Sequence, residues 1–227
     1  MASQAKIRVI VLHREHLMAE ALRLALSGER GLSARTATSD PGAALALALE
    51  DAPEVAVVDL DLPHGGGVDT IRRIAESRPG IALLALSGGD ELAVARAVEA
   101  GAAGHLPKSA PVRDLVDAIR KAAAGDTLVE PDERRHLLRR LRHRRTEVAS
   151  EEQRARRLTR REREILQLMA DGAPSEGLAA LLGMSPATLR THIQNIITKL
   201  GVHSKTEALA FAIRHGRVSP GTGMERG

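Results

Sequence analysis

Four stretches of this 227-residue chain set polar, chemically able residues directly after apolar runs. VVDLDLPHGGG carries Asp59 and Asp61, ALSGG carries Ser87, AGAAGHLPKSA carries Lys108, and VLHREH carries His13, Arg14 and Glu15. Open α/β sheets handle ligands outside the carboxyl ends of their strands, so these groups form one candidate site if the runs lie side by side. A second set sits on SPATLRTHIQNIITKL. There Arg190 can pair bidentately with guanine, Gln194 with adenine, and the Thr191 methyl can meet a thymine methyl.

The runs that must position the first set are IRVIVL (7–12), LSARTAT (32–38), EVAVVDL (54–60), IALLALS (81–87) and GHLPK (104–108). Several are continuous apolar segments, as in strands buried on both faces. Helical segments separate them: HLMAEALRLALSG, DPGAALALALED, GVDTIRRIAESRPG and DELAVARAVEAG, with APVRDLVDAIRKAAAG closing the series. This alternation predicts an α/β domain with a doubly wound, five-stranded parallel sheet.

Asp59, Ser87 and Lys108, each at its own strand end, resemble the receiver domain of two-component response regulators, a CheY- or flavodoxin-like fold, over residues 6–125. The resemblance implies that Asp59 is the phosphoacceptor, Ser87 the hydroxyl that follows the phosphoryl group, and Lys108 the ammonium of the site. In that family two acids ending the first strand bind Mg²⁺ with the phosphoacceptor, and here His13 and Arg14 stand in their place. Mg²⁺ takes oxygen ligands in near-octahedral geometry, which neither imidazole nor guanidinium supplies. Metal-assisted phosphoryl transfer loses its support. The expectation is a degenerate receiver with no metal and no cofactor, in which Arg14 either pairs with Asp59 or points to solvent. Glu15 is one position further on, and a one-residue shift changes the face a side chain takes. Asp61 lies where the family generally uses a backbone carbonyl. His105, where the family often has an aromatic, is expected to be a solvated edge-strand histidine.

Composition restricts the function classes. There is no Cys, which excludes disulfides and thiolate metal sites. Phe211 is the only aromatic among Phe, Trp and Tyr, so stacking platforms for single-stranded nucleic acid are absent. No apolar run is long enough to cross a bilayer, and MASQAK lacks a signal-peptide pattern, so a cytoplasmic protein is expected. Residues 1–126 carry 14 Lys and Arg against 17 Asp and Glu, whereas residues 127–227 carry 19 against 12. The basic half is the candidate for nucleic acid.

Between Arg134 and Arg163 there are 13 Arg and four acids, with Leu137, Leu138, Leu141 and Val148 at helical spacings. This predicts a basic helical connector over 127–154, broken near Ala149–Ser150. Its arginines either stay solvated or add salt-sensitive phosphate contacts.

Beyond it, Thr159 and Glu162 predict a capping box and a helix ending at Gly172. SEGLAALL predicts a short helix weakened by Gly177 in its interior. Ser185 and Pro186 start the next helix, whose buried stripe is Leu189, Ile193, Ile196, Ile197 and Leu200. Ser204 and Glu207 predict a second capping box. Four helices, two joined by a tight glycine turn, make an all-α helix-turn-helix domain over 155–220, after the domain of residues 1–126. LTRREREIL, LLGMSPATLRTHIQNI, KLGV and SKTEAL resemble the LuxR-type helix-turn-helix of NarL/FixJ response regulators. Arg190, Thr191 and Gln194 are the expected base contacts. Thr188, His192, Lys199, Ser204 and Lys205 are expected at phosphates or as caps, and His192 reads equally as a histidine holding helices together.

The expected protein is a non-enzymatic regulator of transcription that binds double-stranded DNA at a palindromic or pseudo-palindromic promoter site. It would act as a homodimer, or as a heterodimer with a related regulator, through residues 90–122, with RNA polymerase a further candidate partner and no role at a membrane. A conventional regulator phosphorylated on Asp59 is the alternative, and a module that sequesters another regulator is a third reading. The Ala- and Arg-rich, Lys-poor composition resembles that of high-GC actinobacteria.

Overall fold

A computed structural model describes residues 6–37, 40–50, 52–63, 66–175 and 177–219. The chain forms two compact units, Met1–His143 and Arg144–Gly227. No described helix is long and apolar enough to cross a membrane.

The first unit alternates β1 (Ile7–Leu12), α1 (His16–Ser27), β2 (Leu32–Ala37), α2 (Pro41–Glu50), β3 (Val55–Asp59), α3 (Gly66–Ser77), β4 (Ala82–Ser87), α4 (Glu91–Glu99), β5 (Gly104–Pro107) and α5 (Val112–Ala123). All pairings are parallel, in the order β2-β1-β3-β4-β5. This is the doubly wound sheet the alternation predicts. The period of two along β3 explains why it is apolar throughout. Ala56 and Val58 face a core shared with α2, α3 and α4, while Val55 and Val57 face one shared with α1 and α5. Pairing sets Asp59 beside Leu86 and Ser87 beside Pro107, so the polar residues collect at the carboxyl edge. The glycine run after β3 is sterically required at one position. A Cβ on Gly67 would lie 2.4 Å from the Asp59 carbonyl oxygen, so α3 can start this close to β3 only without one.

Helix α6 (Pro131–Arg156) is continuous. The expected break near Ala149–Ser150 does not occur. Neither residue is a strong breaker, and pairs Arg144–Glu147 and Glu152–Arg156 at helical spacing lie on either side. Its first half is more than a solvated connector: Leu137 and Leu141, with Val129 before it, are buried in the core of the α4 face. Arg140 pairs with Glu91, and Glu133 lies 2.9 Å from His105 Nε2. His105 is therefore paired and partly covered, not solvated as expected. Part of the 90–122 stretch expected to meet a second copy is thus occupied by the chain's own helix. The outer side of α5, with Arg113, Asp117 and Arg120, stays exposed.

In the second unit, α7 (Arg160–Ala170), α8 (Leu178–Leu181), α9 (Pro186–Leu200) and α10 (Lys205–Arg214) enclose one core centred on Ile165, Leu166, Leu189, Ile196, Leu200 and Phe211. Thr159 and Glu162 form the predicted capping box. Ser185 caps α9, with Pro186 at its first position. Two expectations need correction. Gly177 is the N-cap of the four-residue α8 and not its interior, so no interior glycine weakens that helix. Ser204 caps α10, but the Glu207 carboxylate accepts from the His203 N–H at 2.9 Å and not from Ser204, so the second box is offset by one residue.

Candidate functional site

Asp59 ends β3 fully buried. A buried carboxylate must have its lone pairs filled, and here the chain fills them itself. Oδ1 accepts from Lys108 Nζ at 2.7 Å and from the Asp61 N–H at 2.8 Å. Oδ2 accepts from the Arg14 N–H at 3.2 Å, and His13 Nε2 lies 3.4 Å from it. The Glu15 N–H donates to His13 Nδ1 at 3.0 Å. Nδ1 is thus taken by a backbone donor, and Nε2 is the ring nitrogen on the Asp59 side.

Of the two readings of Arg14, the structure takes the second: its side chain does not pair with Asp59 and points to solvent. Its guanidinium is 53% exposed and lies 3.9 Å from the Glu15 carboxylate, while only its backbone reaches the acceptor. Past the end of β1 the chain turns the His13 side chain inward and that of Arg14 outward. Glu15 likewise points out. Asp61 does contribute, holding Lys108 from the other side at 2.8 Å. Burial pulls the Lys108 ammonium down, but hydrogen bonds and charge from Asp59 and Asp61 outweigh it, leaving its pKa above the ordinary 10.5. Ser87, nearly buried, accepts the Gly89 N–H at 3.0 Å and shapes the turn into α4.

His13, Asp59, Asp61 and Lys108 are thus brought together, with Ser87 nearby and the side chains of Arg14 and Glu15 outside. The family's Mg²⁺ does not fit this set. An ammonium and an imidazole ring lie against the carboxylate oxygens a divalent ion would use, and the remaining carboxylate, Asp61, is held by Lys108. Among the described residues no three His, Asp or Glu side chains are arranged to hold a metal ion.

On α9, the buried residues Leu189, Ile196 and Leu200 fix one face, and Ile193 and Ile197 pack beside them. Arg190, Thr191 and Gln194 are exposed on the other. Thr191 Oγ1 donates to the Ala187 carbonyl at 3.1 Å. Thr188 lies at the exposed start of the helix, its hydroxyl 2.8 Å from Ser185 Oγ. His192 is half-buried. Lys205 Nζ donates to Ser175 Oγ at 3.1 Å, at the surface.

Lys199 is the member of the phosphate set that the geometry removes. Its ammonium donates to both oxygens of Glu162, at 2.7 and 2.8 Å. Glu162 is only 2% exposed, so its charge needs a fixed counter-ion, and Lys199 supplies it. The capping box gave Glu162 a local role that hid this second, long-range one. Its burial raises its pKa, but Lys199 and the Thr159 N–H outweigh that and hold the carboxyl below the ordinary 4.5.

Two family models match the chain. That of bacterial regulatory proteins of the luxR family covers residues 156–212, and that of the response regulator receiver domain covers residues 9–120. The transcriptional regulatory protein YxjL of Bacillus subtilis (strain 168) is 30% identical over 94% of this chain and 98% of its own. The transcriptional regulatory protein LiaR of the same strain is 31% identical over 94% of this chain and 100% of its own. The crystal structure of a LuxR-family two-component response regulator from Aurantimonas sp. SI85-9A1 is 28% identical, with a TM-score of 0.52 over 60% of this chain and 98% of that one. A buried strand-end aspartate in a receiver fold, followed by a helix-turn-helix with its polar face outward, has these relatives because the chain belongs to the LuxR family of DNA-binding response regulators.

Proposed function

We propose that this regulator controls transcription by binding promoter DNA as a dimer, with no call on Mg²⁺-dependent phosphorylation of Asp59. The observation that carries this is the saturation of the Asp59 carboxylate by Lys108, Asp61, Arg14 and His13 of the same chain. A receiver already neutralised by its own cation has its conformation set without a phosphoryl group. Control then passes to association with a second copy or a related regulator, through what α6 leaves open of residues 90–122. RNA polymerase is the further partner of a regulator bound at a promoter.

In this reading α9 enters the major groove. Arg190 and Gln194 read base edges and Thr191 adds a methyl contact, while Thr188, His192, Ser204 and Lys205 flank the phosphates. The test uses a duplex recovered from random sequence by selection with the full-length protein. Unphosphorylated wild type is expected to shift it as a dimer. Arg190→Ala and Gln194→Ala each lose about tenfold or more in affinity for it, the scale of one bidentate base contact. Affinity for unselected duplex is expected to change little for Gln194→Ala. Unchanged affinity for the selected duplex in both variants would remove base readout by α9.

A further inference from the structure

The recognition helix is held at its far end by a residue of the connector. Arg154, in the last turn of α6, donates from Nη1 to the carbonyl of Leu200, the last residue of α9, at 2.8 Å. Terminal carbonyls of a helix lack intrahelical partners and carry the negative end of its dipole, so a guanidinium there binds by both hydrogen bond and charge. The next residue, Gly201, turns the chain with φ of 66°, and a Cβ on it would lie 2.7 Å from Arg154 Nη1. The turn after α9 is shaped around this guanidinium. Its carbon also sits 5.5 Å from the centroid of Phe211 on α10. Two neighbours extend the clamp: Ala155 is buried in the same core, and Glu151 lies 3.3 Å from His215 at the end of α10.

We propose that Arg154 is a positioning residue for DNA recognition, so that the last turns of the connector helix belong to the DNA-reading machinery. A helix is a stiff rod, and base readout tolerates little error in where its side chains arrive. Releasing the Leu200 end lets α9 tilt against α7 and α10, which moves Arg190, Thr191 and Gln194 relative to the base edges. The Arg154 guanidinium is engaged by the Leu200 carbonyl and the Phe211 ring of its own unit. It acts through α9, and the proposal rests on the reading of α9 as the base-reading helix.

Full-length wild type, Arg154→Ala, Arg154→Lys and Arg190→Ala are titrated against the selected duplex and against a random-sequence duplex, well below each protein's melting temperature. The quantity read is the ratio of the two affinities, together with the salt dependence. Arg154→Ala is expected to lower the ratio by about tenfold, the scale of one mismatched base pair. Random-duplex affinity and salt slope stay at wild-type values, because no phosphate contact is lost. Arg154→Lys, which keeps a cationic donor for the Leu200 carbonyl, recovers most of the ratio. A wild-type ratio in Arg154→Ala overturns the proposal, as does a parallel loss on both duplexes, which marks a merely structural residue. Arg190→Ala with an unchanged ratio overturns base reading by Arg190 instead, and leaves the Arg154 comparison to be judged on its own.

Discussion

Replacing Glu162 with alanine is expected to destabilise the DNA-binding unit by about 2–4 kcal/mol. Breaking a buried ion pair from one side costs about 3–5 kcal/mol, because the surviving charge is left without its partner. That range is discounted here because the survivor, Lys199, is one-third exposed and recovers some hydration. Loss of the capping box adds about 1 kcal/mol, since the Thr159 N–H gives up its acceptor at 2.7 Å. Urea titration followed by circular dichroism measures the change, and a difference below about 0.5 kcal/mol, the ordinary range of surface substitutions, would contradict the pairing.

The same pair fixes a pH dependence. Glu162 has its carboxyl held below the ordinary 4.5 by Lys199 and the Thr159 N–H, against the opposing pull of burial. A carboxyl lowered on folding stabilises the folded state above its unfolded pKa, and that contribution fades as pH falls through the lowered folded value. Wild type is therefore expected to lose urea resistance on acidification below pH 4.5, and Glu162→Ala to lose less over that interval.

The fold was legible because its signals are local. Continuous apolar runs such as VAVVD announce a doubly buried strand, and Thr159, Ser185 and Ser204 announce helix starts through their own side chains. The site was legible in membership and less so in pairing. Type and charge point to Arg14 as the partner of Asp59, while the path of the chain after Leu12 brings the His13 ring to it and turns the long Arg14 side chain outward. Lys199 looked like a phosphate contact because its partner lies 37 residues earlier in the sequence. Leu137 and Leu141 advertised a buried helical stripe, yet nothing in the sequence named the α4 face as what they cover. In each case the missing information is a long-range contact, which no periodicity encodes.

The second large effect concerns the acceptor itself. Incubated with acetyl phosphate and MgCl₂, the wild-type protein is expected to gain no phosphoryl mass on Asp59, whereas a His13→Asp, Arg14→Asp double variant is expected to gain one. The charges explain the difference. In wild type, one ammonium is shared between Asp59 and Asp61, so little positive charge is left for an incoming phosphoryl group. The His13 ring nitrogen stays 3.4 Å from Asp59, and the Arg14 guanidinium faces away. Two carboxylates at the end of β1 would supply, with Asp59, the oxygen ligands a divalent ion requires. Metal neutralisation of a transferring phosphoryl group is worth several kcal/mol, so the variant should be labelled faster by about two orders of magnitude or more. Adding Asp59→Asn to the double variant removes the acceptor and should abolish the gain, which places the label on that side chain. Wild type labelled on Asp59 at the double variant's rate would show that Lys108 and His13 suffice for the transfer, and control by association alone would then fall. An unlabelled wild type beside a labelled variant instead ties the loss of the phosphorylation switch to two positions at the end of one strand.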